Sequence, residues 1–262
     1  MVITSKDNEQ IKHIRKLKEK KYRDEYNEYV VEGVKLIKEA IAEKANIKTI
    51  VACDDCVKNE EIDPKVMYEI AKYNLLYAEE KVFNSISDVQ NHQGLLAVMS
   101  KAEKEKIDYT EDIIVVLDDI QDPGNLGTIL RTIDSAGLKQ IIVSKRSGDV
   151  YNPKVVRSTM GAILRVNVIE SENLVETLKE LKKHKYEVVA TSLETNKSIY
   201  DIDYKKKVIV IGNEANGVSK EVLDLADKKV KIPMLGKTES LNAAVATGIV
   251  TYEYVRQKLN KI

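Results

Sequence analysis

Short runs of β-branched residues alternate with helical patterns along the second half of the chain. The first run, "IIVVLDD" at 113–119, begins with consecutive apolar residues, as in a parallel strand that helices cover on both faces. Helix and strand patterns then alternate up to a last helix, which we expect to begin at Ser240. This alternation predicts an α/β layer fold with a parallel sheet.

The first hundred residues also alternate helix and strand patterns, and they end in a charged segment. A buried strand is predicted for "GLLAVM" at 94–99, and the segment 100–111 is nearly free of apolar side chains. A chain of 262 residues is comfortable for two domains. We therefore expect a smaller α/β domain over 1–105 and a second domain over 106–262.

Charge is balanced over the whole chain but not along it. Lys and Arg together number 42, as do Asp and Glu, so the net charge at pH 7 is zero. Residues 1–23 nevertheless carry many more Lys and Arg than Asp and Glu. Such a stretch is either a solvated helix face or a contact surface for an anionic partner such as nucleic acid.

The cysteines and histidines give only weak functional signals. Cys53 and Cys56 form a CxxC that leaves a redox role open, although the flanking residues have no other thioredoxin-like feature. No His has zinc-finger spacing to this pair, so we expect no metal site. The N-terminus lacks a signal-peptide core and no run reaches about 20 apolar residues, so we expect a cytoplasmic protein.

The segment "DDIQDPGNLGTILRT" at 118–132 joins a predicted strand to a predicted helix. The Asp-Pro-Gly before Asn125 predicts a turn, and Asn125 is a suitable N-cap for the helix. Helical spacing places Arg131 on the polar face near the helix start, where backbone N–H groups attract anions. Simple solvation of an exposed Arg is the alternative interpretation.

The segment "VIVIGNEANGVSKE" at 208–221 is a second junction of this kind. Gly212 and Gly217 allow a ligand to approach the backbone closely, and Glu214 lies between them. A dinucleotide-binding GxGxxG motif requires glycine at 214, so nicotinamide and flavin cofactors are disfavoured. A plain turn is the alternative.

The segment "IPMLGKTESLNAAVATG" at 232–248 contains a Gly-Lys-Thr that is only superficially like a phosphate-binding loop. A Walker A motif requires a glycine where this chain has Lys231, and only one helix follows, which disfavours a nucleotide-hydrolysing enzyme. The helix after Ser240 is small or apolar on every side and is predicted to be buried. Gly248 within it costs about 1 kcal/mol relative to Ala, which favours close packing against another element or subunit.

Together these three segments resemble the three motifs of the SpoU (TrmH-type) RNA 2′-O-ribose methyltransferases, a branch of the SPOUT superfamily. The resemblance extends over about 112–258 and includes "VYNPKVVRSTMGA" between the first two motifs. Residues 1–100 resemble the L30e-like RNA-binding domain that often precedes this catalytic domain. Where many relatives have Thr-Pro-Gln-Gly, this chain has "NHQG" at 91–94.

The resemblance implies an activity, an assembly and a set of site residues. It implies a trefoil-knotted sheet, a homodimer, and 2′-O-methylation of structured RNA with S-adenosylmethionine as cofactor; ribosomal RNA is favoured as the substrate, and transfer RNA is the alternative. The implied catalytic residues are Arg131, Asn125, Glu214, Ser240 and Asn242. The implied cofactor contacts are Thr191, Leu193, Gly212, Ile232, Met234 and Leu241. Because a guanidinium stays protonated, we assign Arg131 to phosphate anchoring and leave the proton acceptor open.

The resemblance also gives the basic N-terminal stretch a role in RNA binding. The cations expected to contact RNA phosphates are Lys12, Arg15, Lys16, Lys20, Lys21 and Arg23, with Tyr22 interleaved. A catalytically silent RNA-binding or ribosome-assembly factor on the same fold is the alternative. Neither interpretation identifies the modified nucleotide.

Overall fold

The chain folds into two compact units, as seen in a computed structural model that describes residues 2–101 and 106–260. The first unit comprises Met1–Glu103 and Asp149–Leu164, and the second comprises Lys104–Gly148 and Arg165–Ile262. The predicted domain boundary at 105 lies outside the described residues. Among the described residues, none of the helices has the length and apolar character needed to cross a membrane.

The first unit is built on a mixed sheet of five strands in the order β1-β4-β3-β5-β2. These strands are β1 (Val2–Ile3), β2 (Glu28–Glu32), β3 (Ile47–Cys53), β4 (Leu75–Ala78) and β5 (Leu95–Ser100). The helices before the second unit are α1 (Glu9–Lys16), α2 (Lys20–Tyr26), α3 (Val34–Ala42), α4 (Asp54–Lys58), α5 (Pro64–Ile70) and α6 (Glu80–Ile86). β3 pairs parallel with β4 and antiparallel with β5.

Local sequence signals explain where several of these helices begin and which face they bury. Asn8 caps α1 through its side chain, and Ile11, Ile14 and Leu17, which recur at helical spacing, are completely or almost completely buried. Asp63 caps α5, with a proline at the first helical position, a combination that favours a helix start.

The first unit also contains a segment from the second half of the chain. This segment carries α8 (Pro153–Ser158) and a short 3₁₀ helix (Ala162–Leu164), and α8 packs against β2. The ring of Tyr151 lies 4.8 Å from that of Tyr29, and the Arg157 guanidinium pairs with Asp88 at 3.1 Å. The part of the sequence between the first two motifs therefore stabilises the first unit.

The second unit is built on a six-stranded, all-parallel sheet in the order β11-β9-β10-β6-β7-β8. Its strands are β6 (Ile113–Asp118), β7 (Gln140–Ser144), β8 (Asn167–Ser171), β9 (Glu187–Thr191), β10 (Lys207–Gly212) and β11 (Lys228–Val230). Its helices are α7 (Pro123–Ser135), α9 (Leu174–Lys183), α10 (Lys220–Leu225) and α11 (Ala243–Leu259), and a 3₁₀ helix spans Ile199–Asp201. The prediction of an α/β fold with a parallel sheet is confirmed.

The centre of this sheet is apolar because its middle strands are covered on both sides. Every residue of β6 and β10 is buried, including Asp118 at the end of β6. All strands are parallel, so the loops that follow them leave the same edge of the sheet. The three motif segments lie at or beyond this carboxyl edge.

Candidate active site at the carboxyl edge of the parallel sheet

The loops after β6 and β10 are fastened to each other by hydrogen bonds. Asp118 lies opposite Gly212 at the last paired position of the two strands. The buried Asp118 carboxylate accepts a hydrogen bond from the N–H of Ser219, the N-cap of α10, at 2.7 Å. The Asn213 side chain donates to the Asp119 carbonyl at 2.7 Å. These contacts bring the first two motifs together.

A chain of three side chains, which we call the asparagine relay, extends the connection to the third motif. The Asn242 side-chain oxygen caps α11 by accepting the N–H groups of Ala244 and Val245 at 2.9 and 3.3 Å. Its amide nitrogen therefore points away and donates to the Asn125 oxygen at 2.9 Å. The Asn125 amide nitrogen in turn donates to Glu214 at 2.8 Å. The helix cap thus determines the orientation of every amide in the relay.

Asn125 is available for the relay because it does not cap α7. Asp122 is the N-cap, Pro123 is the first helical residue, and the Asp122 carboxylate accepts the Asn125 N–H at 2.8 Å. The prediction that Asn125 is the cap is therefore wrong. Asp followed by Pro is a strong helix start, and it lies three residues earlier than we predicted.

The second motif folds back on itself in a way that only glycine permits at 212. Asn213 and Gly217 exchange two main-chain hydrogen bonds of 3.0 and 2.9 Å, and the Asn213 side chain accepts the N–H groups of Ala215 and Asn216. A Cβ atom on Gly212 would lie 2.1 Å from the carbonyl carbon of Gly217. The turn is therefore a compact element that presents Glu214 to the relay.

Arg131 projects from α7 with an exposed side chain. No hydrogen bond or salt bridge engages its guanidinium anywhere in residues 2–101 and 106–260. It lies six residues beyond Asn125, which is about 9 Å along the helix axis. The position suits a cation that pairs with an external anion.

α11 packs along α7 in the same direction. Thr132 of α7 approaches Gly248, with its methyl carbon 4.0 Å from the position that a Cβ there would take, and the Tyr252 hydroxyl donates to Ser135 at 3.3 Å. The described part of this chain therefore does not crowd Gly248. Three large apolar or aromatic side chains of α11 are partly open to solvent. Val245, Tyr252 and Leu259 are 50%, 49% and 63% exposed, and they recur at seven-residue spacing.

The residues predicted to contact a cofactor lie at the carboxyl ends of β9 and β10 or in the segments that follow β9 and β11. Val230 at the end of β11 pairs with Thr191 at the end of β9, so Ile232 and Leu193 both lie just past the same edge. Leu193 is 62% exposed. The three predicted contacts of the third motif are half-buried, namely Ile232, Met234 and Leu241. Ser240, predicted to be catalytic, is exposed.

The main chain between 232 and 241 makes no hydrogen bond with the described residues. Neither its N–H nor its C=O groups bond to any other main chain or side chain of the part that the structure describes. Main-chain groups at the edge of a parallel sheet that lack protein partners are well placed to bind a ligand.

The basic residues predicted to contact RNA lie on α1 and α2, with one correction. Arg23 is 2% exposed, and its guanidinium binds Asp149 at 2.5 Å and the carbonyls of Leu17 and Lys18 at 2.7 and 2.8 Å. A cation that is buried and paired in this way cannot reach an RNA phosphate. Arg23 therefore stabilises the first unit, and we remove it from the predicted set.

The other five cations differ in how strongly they are engaged. Lys12 pairs with Asp7 and Glu9 at 3.8 and 3.4 Å, and Arg15 donates to the Lys6 carbonyl at 2.8 Å. The cations of this set with neither an ion pair nor a hydrogen bond in the described part of the chain are Lys16, Lys20 and Lys21, all of them exposed. These three are the best placed to meet an anionic partner.

Sequence reasoning missed a buried carboxylate beneath this surface. Glu28 of β2 binds His13 and Lys48, each at 2.6 Å. Burial alone raises the pKa of the Glu28 carboxyl, but the hydrogen bonds from Lys48 and His13 outweigh it and leave the pKa lowered. The sequence did contain a signal for this buried carboxylate, because Glu28 is an acidic residue at the start of an apolar strand.

The cysteine pair is buried, with both thiols free. Burial, together with the neighbouring Cys53 and Glu61, raises the pKa of the Cys56 thiol. A thiol with a raised pKa carries little reactive thiolate, which disfavours the redox role that the CxxC spacing left open. In the described part of the chain, no group of three or more His, Cys, Asp or Glu residues is arranged to hold a metal ion.

Two family models and several relatives match the chain. The model for the SpoU rRNA methylase family matches residues 112–252, and the model for the MRM3-like substrate binding domain matches residues 8–97. The chain is 30% identical over 251 residues to the 23S rRNA (guanosine(2553)-2′-O)-methyltransferase RlmP of Bacillus subtilis, covering 95% of this chain and 97% of that protein.

Solved structures match both units together. One is an AdoMet-bound rRNA methyltransferase from Sinorhizobium meliloti, with a TM-score of 0.86 and 32% identity over 98% of each chain. Another is the SpoU methyltransferase AviRb from Streptomyces viridochromogenes in complex with AdoMet, with a TM-score of 0.86 and 25% identity over 96% of this chain and 98% of that one. As its three motifs predicted, this chain belongs to the SpoU rRNA methylase family.

Proposed function

We propose that this protein transfers the methyl group of S-adenosylmethionine to a ribose 2′-hydroxyl in structured RNA, with ribosomal RNA as the substrate rather than transfer RNA. The observation that carries the proposal is the asparagine relay, which joins three loops at the sheet edge where α/β folds bind ligands. The relatives named for rRNA methylation support the choice of substrate.

The third motif fits S-adenosylmethionine through its main chain and its apolar side chains. The unpartnered N–H and C=O groups at 232–241 suit a ligand rich in polar atoms, and Ile232, Met234 and Leu241 offer aliphatic surface for a purine ring. The turn after Gly212 is closed by the backbone of Gly217, so Gly212 shapes the loop that presents Glu214 and does not itself open space for a ligand. When bound, the cofactor supplies an activated methyl group on a sulfonium.

Arg131 then anchors the RNA. Its free guanidinium is suited to bidentate binding of a phosphate next to the target ribose, which aligns the 2′-hydroxyl. Alignment of this kind accounts for about 7–11 kcal/mol of the barrier in well-oriented reactions. Because guanidinium stays protonated, Arg131 stabilises charge and does not accept the hydroxyl proton. Glu214 and the two asparagines hold the three loops in place relative to one another. Ser240, the remaining residue that was predicted to be catalytic, is exposed and precedes the N-cap of α11.

The protein acts as a homodimer, with α11 in the interface. The exposed stripe formed by Val245, Tyr252 and Leu259 lies on one helix face, and Gly248 lies beside it without being crowded by its own chain. A partly exposed apolar stripe with an uncrowded glycine beside it suits close packing against a second copy. The chain after β10 is threaded as a trefoil knot, a proposal that rests on family resemblance.

The first unit binds the RNA through α1 and α2, and the protein works in the cytoplasm. The match to a substrate-binding domain and the unpaired cations Lys16, Lys20 and Lys21 support this role. Deletion of 1–105 is a poor test, because it would also remove the packing partner of the segment Asp149–Leu164.

The test is methyl transfer by Arg131→Ala. We expect the variant to bind S-adenosylmethionine with wild-type affinity in calorimetry and to lose at least about a hundredfold in kcat/KM on ribosomal RNA, because a charged phosphate contact is lost. Wild-type kinetics in the variant would refute the assignment. A wild-type protein that binds RNA but not the cofactor would instead support the catalytically silent binding factor.

A further inference from the structure

A groove beside α1 in the first unit has both cations and aromatic rings in its wall. Its volume is about 770 Å³, and its lining includes His13, Arg15, Lys16 and Tyr26 together with the carboxylates of Glu9 and Glu19. Ligand pockets typically have volumes of about 300–1,000 Å³. The groove is therefore large enough for a nucleotide.

The aromatic part of the wall is held in place from behind. The His13 and Tyr26 rings lie 4.7 Å apart at an angle of 40°, and Tyr26 stacks on Tyr22 at 6.0 Å and 18°. The buried Glu28 fixes the His13 ring through a 2.6 Å hydrogen bond. Both rings that line the groove are half-buried, so part of each is open to a ligand.

The cationic part of the wall is placed next to these rings. The ammonium group of Lys16 lies 5.3 Å from the centre of the Tyr22 ring, and that of Lys21 lies 5.5 Å from it. Lys16 lines the groove and has no carboxylate partner in the described residues, whereas Lys21 shares the Tyr22 ring outside the groove's lining. Arg15 keeps donors free beyond its bond to the Lys6 carbonyl.

We infer that this groove binds one unpaired nucleotide of the RNA, with its base against Tyr26 and His13 and its phosphate at Lys16 and Arg15. The inference rests on the proposed RNA methylation and adds the kind of RNA that the first unit selects. A base inside a duplex has both faces covered by its neighbours, so only an unpaired base can lie on an aromatic ring. Binding of duplex phosphates alone would require only the cations.

Fluorescence anisotropy with two labelled RNAs tests this inference. One is a hairpin with an unpaired loop, and the other is a blunt duplex with the sequence of its stem. We expect Tyr26→Leu to weaken hairpin binding about tenfold or more and to change duplex binding less than about twofold, while Tyr26→Phe retains hairpin binding. The matched control is Tyr68→Leu, because Tyr68 is 73% exposed and lies beneath Lys72 at 5.2 Å, outside the groove.

A second measurement uses the wild-type protein and so does not depend on how the variants fold. With 4-thiouridine in the hairpin loop, we expect the crosslinked peptide to contain α1 or α2; crosslinks confined to other segments would overturn the inference. Equal weakening of both RNAs by Tyr26→Leu, or wild-type hairpin binding, would also overturn it. If the wild type still methylates ribosomal RNA in those cases, the proposed function stands. If the wild type binds neither RNA and transfers no methyl group, both proposals are wrong.

Discussion

Replacing Asn242 by Asp tests whether the asparagine relay orders the site. The carboxylate can still accept the N–H groups of Ala244 and Val245, so the cap of α11 is retained. The donor to Asn125 is lost, and the single amide nitrogen of Asn125 must now serve two carboxylates, the new one and Glu214. The substitution therefore separates the capping role from the relay.

The magnitude follows from the bonds that are broken. The Asn242 to Asn125 bond, 2.9 Å long, joins two neutral groups, and a bond of that kind contributes about 1 kcal/mol. Repulsion between two nearby carboxylates raises the total to about 1–2 kcal/mol, which corresponds to a loss of about five- to thirtyfold in kcat/KM. The melting temperature should fall by only a few degrees, about 2–4 °C per kcal/mol of lost interaction, because Asp is as good an N-cap as Asn and the cap adds no further loss.

The double variant with Glu214→Gln provides the control. A glutamine amide can donate to the Asn125 oxygen, so the Asn125 side chain can turn over and donate to the carboxylate at 242. In steady-state kinetics, we expect the double variant to lose less kcat/KM than the product of the two single losses. The difference should correspond to about 1 kcal/mol. Strict additivity, or full activity in Asn242→Asp alone, would refute the relay.

Three further outcomes are expected. In Gly212→Ala the new Cβ would lie 2.1 Å from backbone, so the backbone must move by about 1.3 Å to reach an ordinary contact of 3.4 Å, and calorimetry should show weaker S-adenosylmethionine binding. The control is Gly236→Ala, which should bind normally because a Cβ there has nothing within 4 Å. Equal affinities of the two variants would contradict the account. If the proposed dimer forms through α11, the wild type should sediment as a dimer and Val245→Glu as a monomer, and a variant that sediments as a dimer would exclude this face. Glu28 has a lowered pKa when folded, so its contribution to stability is present above its unfolded pKa and is lost as the pH falls through its folded pKa. Glu28→Gln should therefore cost about 1–3 kcal/mol in urea unfolding at pH 7 and less below about pH 4, and a constant difference would be contrary evidence.

The elements and the family could be predicted from the sequence because their signals are local. The β-branched run of β6 and the cap and proline before α5 each depend on residues close in sequence. The motif set also identified the residues of the asparagine relay. It did not show their bonds, which join positions 89 and 117 residues apart.

The errors have the same physical origin. The burial of Arg23 depends on Asp149, which is 126 residues away and comes from a segment that sequence order assigns to the other domain. A basic residue on a short helix has the same local pattern whether it faces solvent or a distant carboxylate. Likewise, Asn125 is a residue type that often caps helices. Only the position of Asn242 shows that the Asn125 side chain belongs to the asparagine relay instead.

The most direct test of the central claim is the chemical identity of the product. The purified protein would be incubated with labelled S-adenosylmethionine and ribosomal RNA from a strain that lacks its gene, and the RNA would then be digested to nucleosides and separated by mass spectrometry. We predict label in a single 2′-O-methylated nucleoside, and none when Arg131→Ala replaces the wild type. Label on a base, or no transfer by a protein that binds the cofactor, would contradict the account.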